Sequence, residues 1–516
     1  MPVLPAVRAD AARLDPTLVR WLWAVGLLSL CFRAWWSATL PMTGDEALFY
    51  WWARFPDYGY YDHPPMVAWW IMGARALWGD AAWAIRVPML LLPLGVGWAI
   101  WWAWSPVDRM RAAWAVLLYW LMPMNWLNAL MTTDSPLILF AAWSVAALVR
   151  AERQSVRGRP AWGLYALSGV AIGLAFLSKY FAVLLGLAYL VYFAGWARAR
   201  WRGLLVLVAC GLPAAILNLW WNLDHCWTNI MFNVFNRNED ADFGLDKVGA
   251  YVATLLYLLG PVWVWCAWRA RGRWRAAWQG HALLVCVAVV PLACFALMAG
   301  RKVIGLHWLL AFYPFLIALL TWLVPAERLT GVRRGLAWFL GLHLVLVLGI
   351  AQTNLSQWQS FKHYKRVVEA VRAPELVRQV AAPDVVLMAH AYSAASLYGH
   401  AAGVHVPVFG LGSFHARQDD LVVDYSRFDG RTIRVLRTSA PAPGEYEPFF
   451  ASVRTWQIVQ DGQPFHVIEG RGFDYVAYRE RVLREVNRRY YAFPSWLPVR
   501  GCVFCERLCG APRCAP

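Results

Sequence analysis

Charge is scarce in this chain, and negative charge is scarcer than positive. Of 516 residues only 15% are charged, and 31 Asp and Glu stand against 48 Lys and Arg, a net charge of +17. With 60% hydrophobic residues and 35 Trp, so little charge excludes a soluble domain of this size and leaves a polytopic membrane protein. Two phosphate-cradling signatures are missing as well, the P-loop and the GxGxxG dinucleotide fingerprint. No small-residue cleavage site follows the first apolar run, so that run reads as a retained span and not as a removed signal peptide. No internal repeat is clear enough to use.

What is there is apolar and long. Runs able to cross a bilayer, which takes roughly 17–25 residues, fall near 19–40, 81–104, 112–131, 135–149, 161–178, 180–197, 203–221, 249–268, 281–300, 304–324 and 335–352. That is an expectation of about eleven transmembrane helices. Arginines crowd alternate connections: Arg8, Arg13 and Arg20; Arg109 and Arg111; Arg150, Arg153, Arg157 and Arg159; Arg198, Arg200 and Arg202; Arg269, Arg271, Arg273 and Arg275; Arg328, Arg333 and Arg334. The opposite connections hold most of the acids, among them Asp45, Glu46, Asp57, Asp62, Asp80, Asp134, Asp224, Glu239, Asp240, Asp242 and Asp246. By the positive-inside rule the N-terminus is cytoplasmic, and an odd number of crossings puts residues 353–516 outside. The positive charge is a topology signal, and nucleic acid is not an expected partner.

Residues 1–352 therefore read as a helical membrane domain and 353–516 as a small outer, periplasmic α/β domain with a Cys-rich tail. Residues 66–79 read as an interfacial helix in the outer headgroup plane. Beyond 353, residues 384–390, 432–438 and 455–460 read as strands, "SAASLYGHA" as a helix and 473–493 as a charged amphipathic helix.

The chemistry-bearing residues gather on the outer side. "TGDEALFYWWARFPDYGYYDHPPMVAWW" directly follows the first apolar run and sets Asp45 beside Glu46, then Tyr61, Asp62 and His63 before Pro64-Pro65. Ionisable groups at a membrane boundary are functional candidates, because they are costly there; the plainer alternative is an exposed acidic loop. Asp134 in "LMTTDSPLILF" has almost no loop around it, and Lys179 in "FLSKYFAVLL" stands alone among apolar residues at an outer turn. Lys179 reads either as a phosphate ligand or as a snorkelling lysine. Arg301 and Lys302 occupy another outer turn against the charge trend, and His307 opens the tenth span. Carboxylates suit a general base or a cation, and cations suit a phosphate. Together they fit an anionic lipid phosphate beside a nucleophilic hydroxyl. A divalent cation is permitted, but no ligand spacing demands one.

These motifs together resemble the GT-C glycosyltransferases, and within them the protein mannosyltransferase and aminoarabinose lipid A transferase group, over roughly residues 19–310. The carriers are Asp45-Glu46 in a short first outer loop, an aromatic stretch ending in an acid, a basic residue and Pro-Pro, then "TTDSPL", then Ser178-Lys179 after the fifth span. The later "AHAYSAASLYGH" and "HARQDDLVVDYSRFDGRTIRVL" are similar to outer domains of bacterial members. The resemblance implies a GT-C fold and a polyprenyl-phosphate-sugar donor. It implies transfer, with inversion, to an envelope acceptor (lipid A or lipopolysaccharide, a surface glycan or a protein) at the outer face of a bacterial inner membrane. It also implies Asp45 as catalytic carboxylate supported by Glu46, and Asp134 lining the same cavity. His63 and Lys179 would bind the lipid phosphate; from their outer position Arg301 and Lys302 are expected to bind it too, and Tyr61, Asp62 and His307 to line the substrate cavity. The sequence departs from the aminoarabinose transferases at two points: His63 stands where they carry Lys, and Leu48 where they carry Arg three positions after the Asp. The first change makes phosphate binding pH-dependent; the second bears on the identity of the sugar. The reading from another class is a transporter or flippase of lipid-linked sugars, which would place its charges nearer mid-membrane.

Of the ten cysteines, Cys31, Cys210, Cys266, Cys286 and Cys294 lie in or beside spans and read as small buried hydrophobes, and Cys226 is isolated in an outer loop. The tail "CVFCERLCGAPRC" carries Cys502, Cys505, Cys509 and Cys514. Its spacing suits zinc or an iron–sulfur cluster, an outer location suits disulfides, and a reduced unstructured tail is the third reading.

Overall fold

In the computed structural model of the chain, residues 14–236, 242–413 and 417–514 are described. Arg8, Arg13, Glu239, Asp240 and motif residues 414–416 lie outside them. Among the described residues seven helices are long and apolar enough to cross a membrane: Pro16–Thr39 (α1), Ala82–Trp104, Asp134–Val156, Arg198–Asp224, Leu245–Arg269, Ala282–Ala299 and Ala326–Ala351. The other four expected runs form shorter helices, Arg109–Trp120, Trp162–Phe176, Ala182–Trp196 and Tyr313–Leu323. At about 1.5 Å rise per residue such helices fall short of a hydrocarbon core about 30 Å thick. One reason is local: Pro123 stops the third run, and a separate turn of helix, Met124–Leu127, follows. The chain is a polytopic helical membrane protein.

Two compact units form. The first groups the described residues of Met1–Thr39, Trp78–Ile216 and Ala241–Ile350. In it most of the residues of Asp134–Val156 are buried, whereas Ala326–Ala351 turns most of its apolar surface outward, as lipid-facing helices do. Arg33, inside the first apolar run, is fully buried and donates to the carbonyls of Asn125 (2.5 Å) and Met89. In Leu245–Arg269 the helix kinks at Gly260 (φ 65°), followed by Pro261. A Cβ at Gly260 would stand 2.7 Å from the Phe339 ring, so glycine meets both the turn and the packing there.

The second unit groups the described residues of Leu40–Leu77, Leu217–Asp240 and Ala351–Pro516. Two segments expected to belong with the membrane helices thus pack with the C-terminal residues, because their hydrogen-bonding groups are satisfied there. Trp51 Nε1 donates to the Ser396 carbonyl (3.0 Å), and the Tyr61 N–H donates to Gln418 Oε1 (2.9 Å). The segments contribute α2 (Gly44–Arg54) and α3 (Met66–Trp78), the latter a helix where one was expected over 66–79.

Among the described residues the sheet of this unit has four strands in the order β1-β2-β4-β3. β1 (Val385–Ala389) runs parallel to β2 (Thr432–Arg437), and β4 (Gln463–Phe473) lies antiparallel between β2 and β3 (Phe450–Gln460). β4 was not expected. The turn joining it to β3 is Asp461-Gly462, with φ of 46° and 75°; two left-handed residues are what a tight hairpin needs. The amphipathic helices Tyr364–Val371 and Ala373–Val380 were also missed. The expected helix 473–493 is present in three pieces, Tyr475–Tyr478, a π turn Arg479–Leu483 and Arg484–Tyr490. The tail forms helix Val503–Cys509, with disulfides Cys226–Cys502 and Cys509–Cys514. Cys226 is therefore not isolated: its partner lies 276 residues away. Cys505 remains a buried thiol.

Candidate functional site

The start of α2 is built by a capping box. Thr43 Oγ1 accepts from the Glu46 N–H (3.3 Å), and the Glu46 carboxylate accepts from the Thr43 N–H (3.4 Å) and hydroxyl (3.1 Å). Glu46 is fully buried in that box. Asp45 is exposed in the same first turn, where the unpaired helix N–H groups favour a carboxylate. Gly44 touches the helix Tyr392–Ala402: a Cβ there would stand 2.7 Å from Ser393 Cβ. Two neighbouring acids thus have different positions, one facing water and one holding the helix end.

Asp45 lies in the wall of a cavity of about 340 Å³, with Arg366, Glu369, His390, Ser393, Arg437 and Thr438 among its other lining residues. None of these partners was singled out in the sequence. Glu369 accepts from the Tyr398 hydroxyl (2.6 Å), and burial pushes its carboxyl above the usual range. Burial, then the Arg437 charge, pushes the His390 imidazole below its usual value of 6.5, so it is neutral at pH 7. Arg437 is 7% exposed. Its guanidinium donates to Glu445 (2.6 Å), the Tyr446 hydroxyl (3.1 Å) and the Ser439 hydroxyl (3.2 Å).

The "YYDHPP" stretch is fixed by aromatic packing. Tyr60 stacks on Trp52 at 4.6 Å and donates to its carbonyl (2.9 Å). The Tyr60 N–H donates to the His63 carbonyl (3.1 Å). Tyr61 is fully buried, and burial drives its phenol well above the usual range. His63 lies against Phe49 and Trp52, with its Nε2 3.8 Å from Asp62. A phosphate at His63 would meet that carboxylate as a competitor. Leu48 is buried in α2, a place suited to an apolar side chain.

In the first unit, three residues read separately from the sequence come together. Asp134 opens its helix, 2% exposed, and accepts from Lys179 Nζ at 2.7 and 2.9 Å. Lys179, 7% exposed, also stands over the rings of Phe181 (5.1 Å) and Trp308 (5.8 Å). His307 Nε2 is 3.9 Å from Asp134, and its side chain is 57% exposed. Lys179 is therefore a buried, paired cation and not a snorkelling one. Arg301 and Lys302 stand at the turn after Ala282–Ala299; Arg301 is exposed, and its carbonyl accepts from Lys247 (3.2 Å).

Residues 62–221 match the family described as dolichyl-phosphate-mannose-protein mannosyltransferase. The lipid A galacturonosyltransferase RgtD of Rhizobium johnstonii is 27% identical over 304 residues, 57% of this chain and 62% of the relative. The match thus spans less than two thirds of that relative's length. ArnT from Cupriavidus metallidurans bound to undecaprenyl phosphate superposes with a TM-score of 0.62 at 14% identity, over 87% of this chain and 98% of ArnT. Its apo structure gives 0.62 at 15%, over 88% and 98%. The fold is the GT-C fold that ArnT shows, and the matched family and the curated relative are both glycosyltransferases.

Proposed function

We propose that this chain is a membrane glycosyltransferase that moves a sugar from a polyprenyl-phosphate donor to an envelope acceptor of the lipid A class, at the outer face of a bacterial inner membrane. The observation that carries the reading is Asp45, an exposed carboxylate on a rigidly capped helix end in the wall of a polar cavity. The names of the relatives, a lipid A galacturonosyltransferase and an ArnT bound to undecaprenyl phosphate, support the donor and acceptor classes.

In this reading Asp45 takes the proton of the acceptor hydroxyl as the oxygen attacks the anomeric carbon from the face opposite the phosphate. The C–O bond to the phosphate breaks and the configuration inverts, as with the base carboxylate of inverting glycosidases. Lys179 meets the departing phosphate. Its bidentate pairing with Asp134 fixes its direction, so the oxyanion finds a preorganised cation. His307, beside Asp134, and Arg301 and Lys302 supply further donors. Glu46 acts by holding the helix end that carries Asp45. No metal is needed in this scheme. The N-terminus is cytoplasmic and residues 353–516 lie outside, a placement with which the two disulfides agree.

The test is transfer from a radiolabelled polyprenyl-phosphate sugar to a lipid A acceptor by the purified chain, with chelator present. Product of inverted configuration, absent with Asp45→Asn, supports the reading. Movement of the donor across a vesicle membrane without any product would overturn it in favour of a flippase. Loss of transfer on chelation, restored by a divalent ion, would overturn the metal-free scheme.

A further inference from the structure

Three buried cysteines meet in the second unit. The Sγ atoms of Cys226, Cys502 and Cys505 all lie within 4.8 Å of one another, and none of the three residues is more than 1% exposed. Two of them share the Cys226–Cys502 disulfide, and the third is a thiol. Cys502 is the N-cap of the helix Val503–Cys509, and Cys505 stands in its first turn. All three belong to the apolar core of the unit, with Trp221, Phe232, Tyr491 and Phe504. Dissolved thiols are kept from a bond so placed, whereas Cys505 is already beside it. Exchange needs a thiol able to attack a disulfide sulfur, and no outside oxidant or reductant.

A second observation concerns the backbone at the other end of the bond. Cys226 (φ 58°) and the next residue, Trp227 (φ 57°), both stand in the left-handed region. Side chains with a Cβ avoid it, and two in succession store strain. The turn is held by the disulfide, by the Cys226 N–H donating to the Gly501 carbonyl (3.4 Å) and by Trp227 Nε1 donating to the Pro498 carbonyl (2.6 Å). Opening the bond removes the covalent tie and lets the strain relax. The resting state has its own hold: the Cys505 thiol donates to Asn487 Oδ1 (3.3 Å). Burial pushes that thiol above its ordinary value; a backbone hydrogen bond at Cys514 and the Arg513 charge oppose the shift, and Glu506 adds to it. The thiolate, which is the attacking form, is therefore scarce at neutral pH.

We infer that Cys505 is an internal exchange partner of the Cys226–Cys502 disulfide, and that Cys502 moves between Cys226 and Cys505. The Cys505 sulfur attacks Cys502 Sγ, the Cys502–Cys505 bond forms and the Cys226–Cys502 bond breaks. The electron pair leaves on Cys226, which takes up the proton that Cys505 gave up. One disulfide and one thiol stand on each side of the step, so it is redox-neutral. Its consequence lies in the segment that follows Cys226. Asn229 Nδ2 donates to the Tyr60 carbonyl (2.8 Å) and Asn233 Nδ2 to the Asp62 carbonyl (3.0 Å). The disulfide is thus a latch on the segment that holds the Tyr60–His63 loop, and exchange opens it.

The experiment follows thiols on the full chain in nanodiscs, purified without reductant and held at about pH 9, where a thiol begins to ionise, with no oxidant or reductant added. Samples are quenched in acid, unfolded, alkylated with N-ethylmaleimide and digested, and mass spectrometry locates the alkylated and the paired cysteines. The expected result is that label shifts from Cys505 to Cys226 over minutes to hours, the range of uncatalysed rearrangement, while a Cys502–Cys505 pair appears. The rate should not depend on protein concentration, as befits an intramolecular step. In Cys505→Ser the labelling of Cys226 should be lost at all times. Amide hydrogen exchange over residues 227–236 should rise in the parent chain with the same time course. Label that stays on Cys505 alone would overturn the inference, as would a Cys226–Cys505 pair in place of Cys502–Cys505. Protection of 227–236 that persists while the label moves would overturn the latch. The mapping of the parent chain decides by itself, whether or not Cys505→Ser folds.

Discussion

At the scale of single residues, the Asp-Glu pair separates by position. Asp45→Asn should lower transfer about 10²–10⁴-fold, the usual worth of a general base. Insertion and thermal unfolding should stay those of the parent chain, since Asp45 is exposed; near-normal turnover would sink the assignment. Lys179→Ala should weaken donor binding more than Lys179→Arg, because an arginine can keep the pairing with Asp134; equal donor Kd in all three proteins would leave Lys179 with a packing role. Gly44→Ala should cost about 1–3 kcal/mol of stability, since the new methyl meets Ser393 Cβ at 2.7 Å. Asp45, Asp134 and Lys179 were legible because charge is so rare beside apolar runs. The role of Glu46 was also written in the chain: Thr43-Gly44-Asp45-Glu46 has the spacing of a capping box, Thr followed three residues later by Glu. The pairing of Lys179 with Asp134 was not legible, because 45 residues separate them and no local periodicity carries that distance.

At the scale of elements, β2 and β4 are tied by a charged cross-strand pair. Arg434 lies opposite Glu469 and donates to it at 2.8 Å, and Arg471 adds a second contact at 3.1 Å. Arg434, then Arg471, holds the Glu469 carboxyl below its usual 4.5. As pH falls, the unfolded chain takes up this proton before the folded chain does. The pair's contribution is therefore present above about 4.5 and lost as pH falls through the lowered native value. Arg434→Gln should flatten that acid limb in a series of unfolding midpoints against pH, and an unchanged limb would show that the pair is energetically idle. β4 escaped the sequence reading because its burial alternates poorly and Gly470 and Gly472 interrupt it. The Asp461-Gly462 turn ahead of it was the available signal. The kink at Gly260 was hidden for another reason: the Gly-Pro step interrupts an apolar run without changing its hydropathy.

At the scale of the whole molecule, the Cys226–Cys502 disulfide joins an inter-span segment to the tail. Cys226→Ser with Cys502→Ser should lower stability by about 2–4 kcal/mol, read as a fall in Tm by tryptophan fluorescence. Reductant should lower the Tm of the parent chain and leave the double variant little changed. An enzymatic reporter fused after Pro516 should be active only outside the cytoplasm; activity inside would mean that the span parity is wrong. Composition alone determined the membrane class, since 15% charge cannot clothe a soluble protein of 516 residues, and local patterning determined the long apolar helices and three of the described strands. Only the tertiary structure decided that α2, α3 and residues 217–236 pack with the C-terminal unit, that Arg366, His390 and Arg437 line a cavity with Asp45, and which cysteines pair. The reason is physical. Hydropathy and period report what one segment needs from its surroundings, lipid, water or a core, whereas a cavity and a disulfide depend on which distant segments meet, and that is set by the closing of backbone and side-chain hydrogen bonds over hundreds of residues.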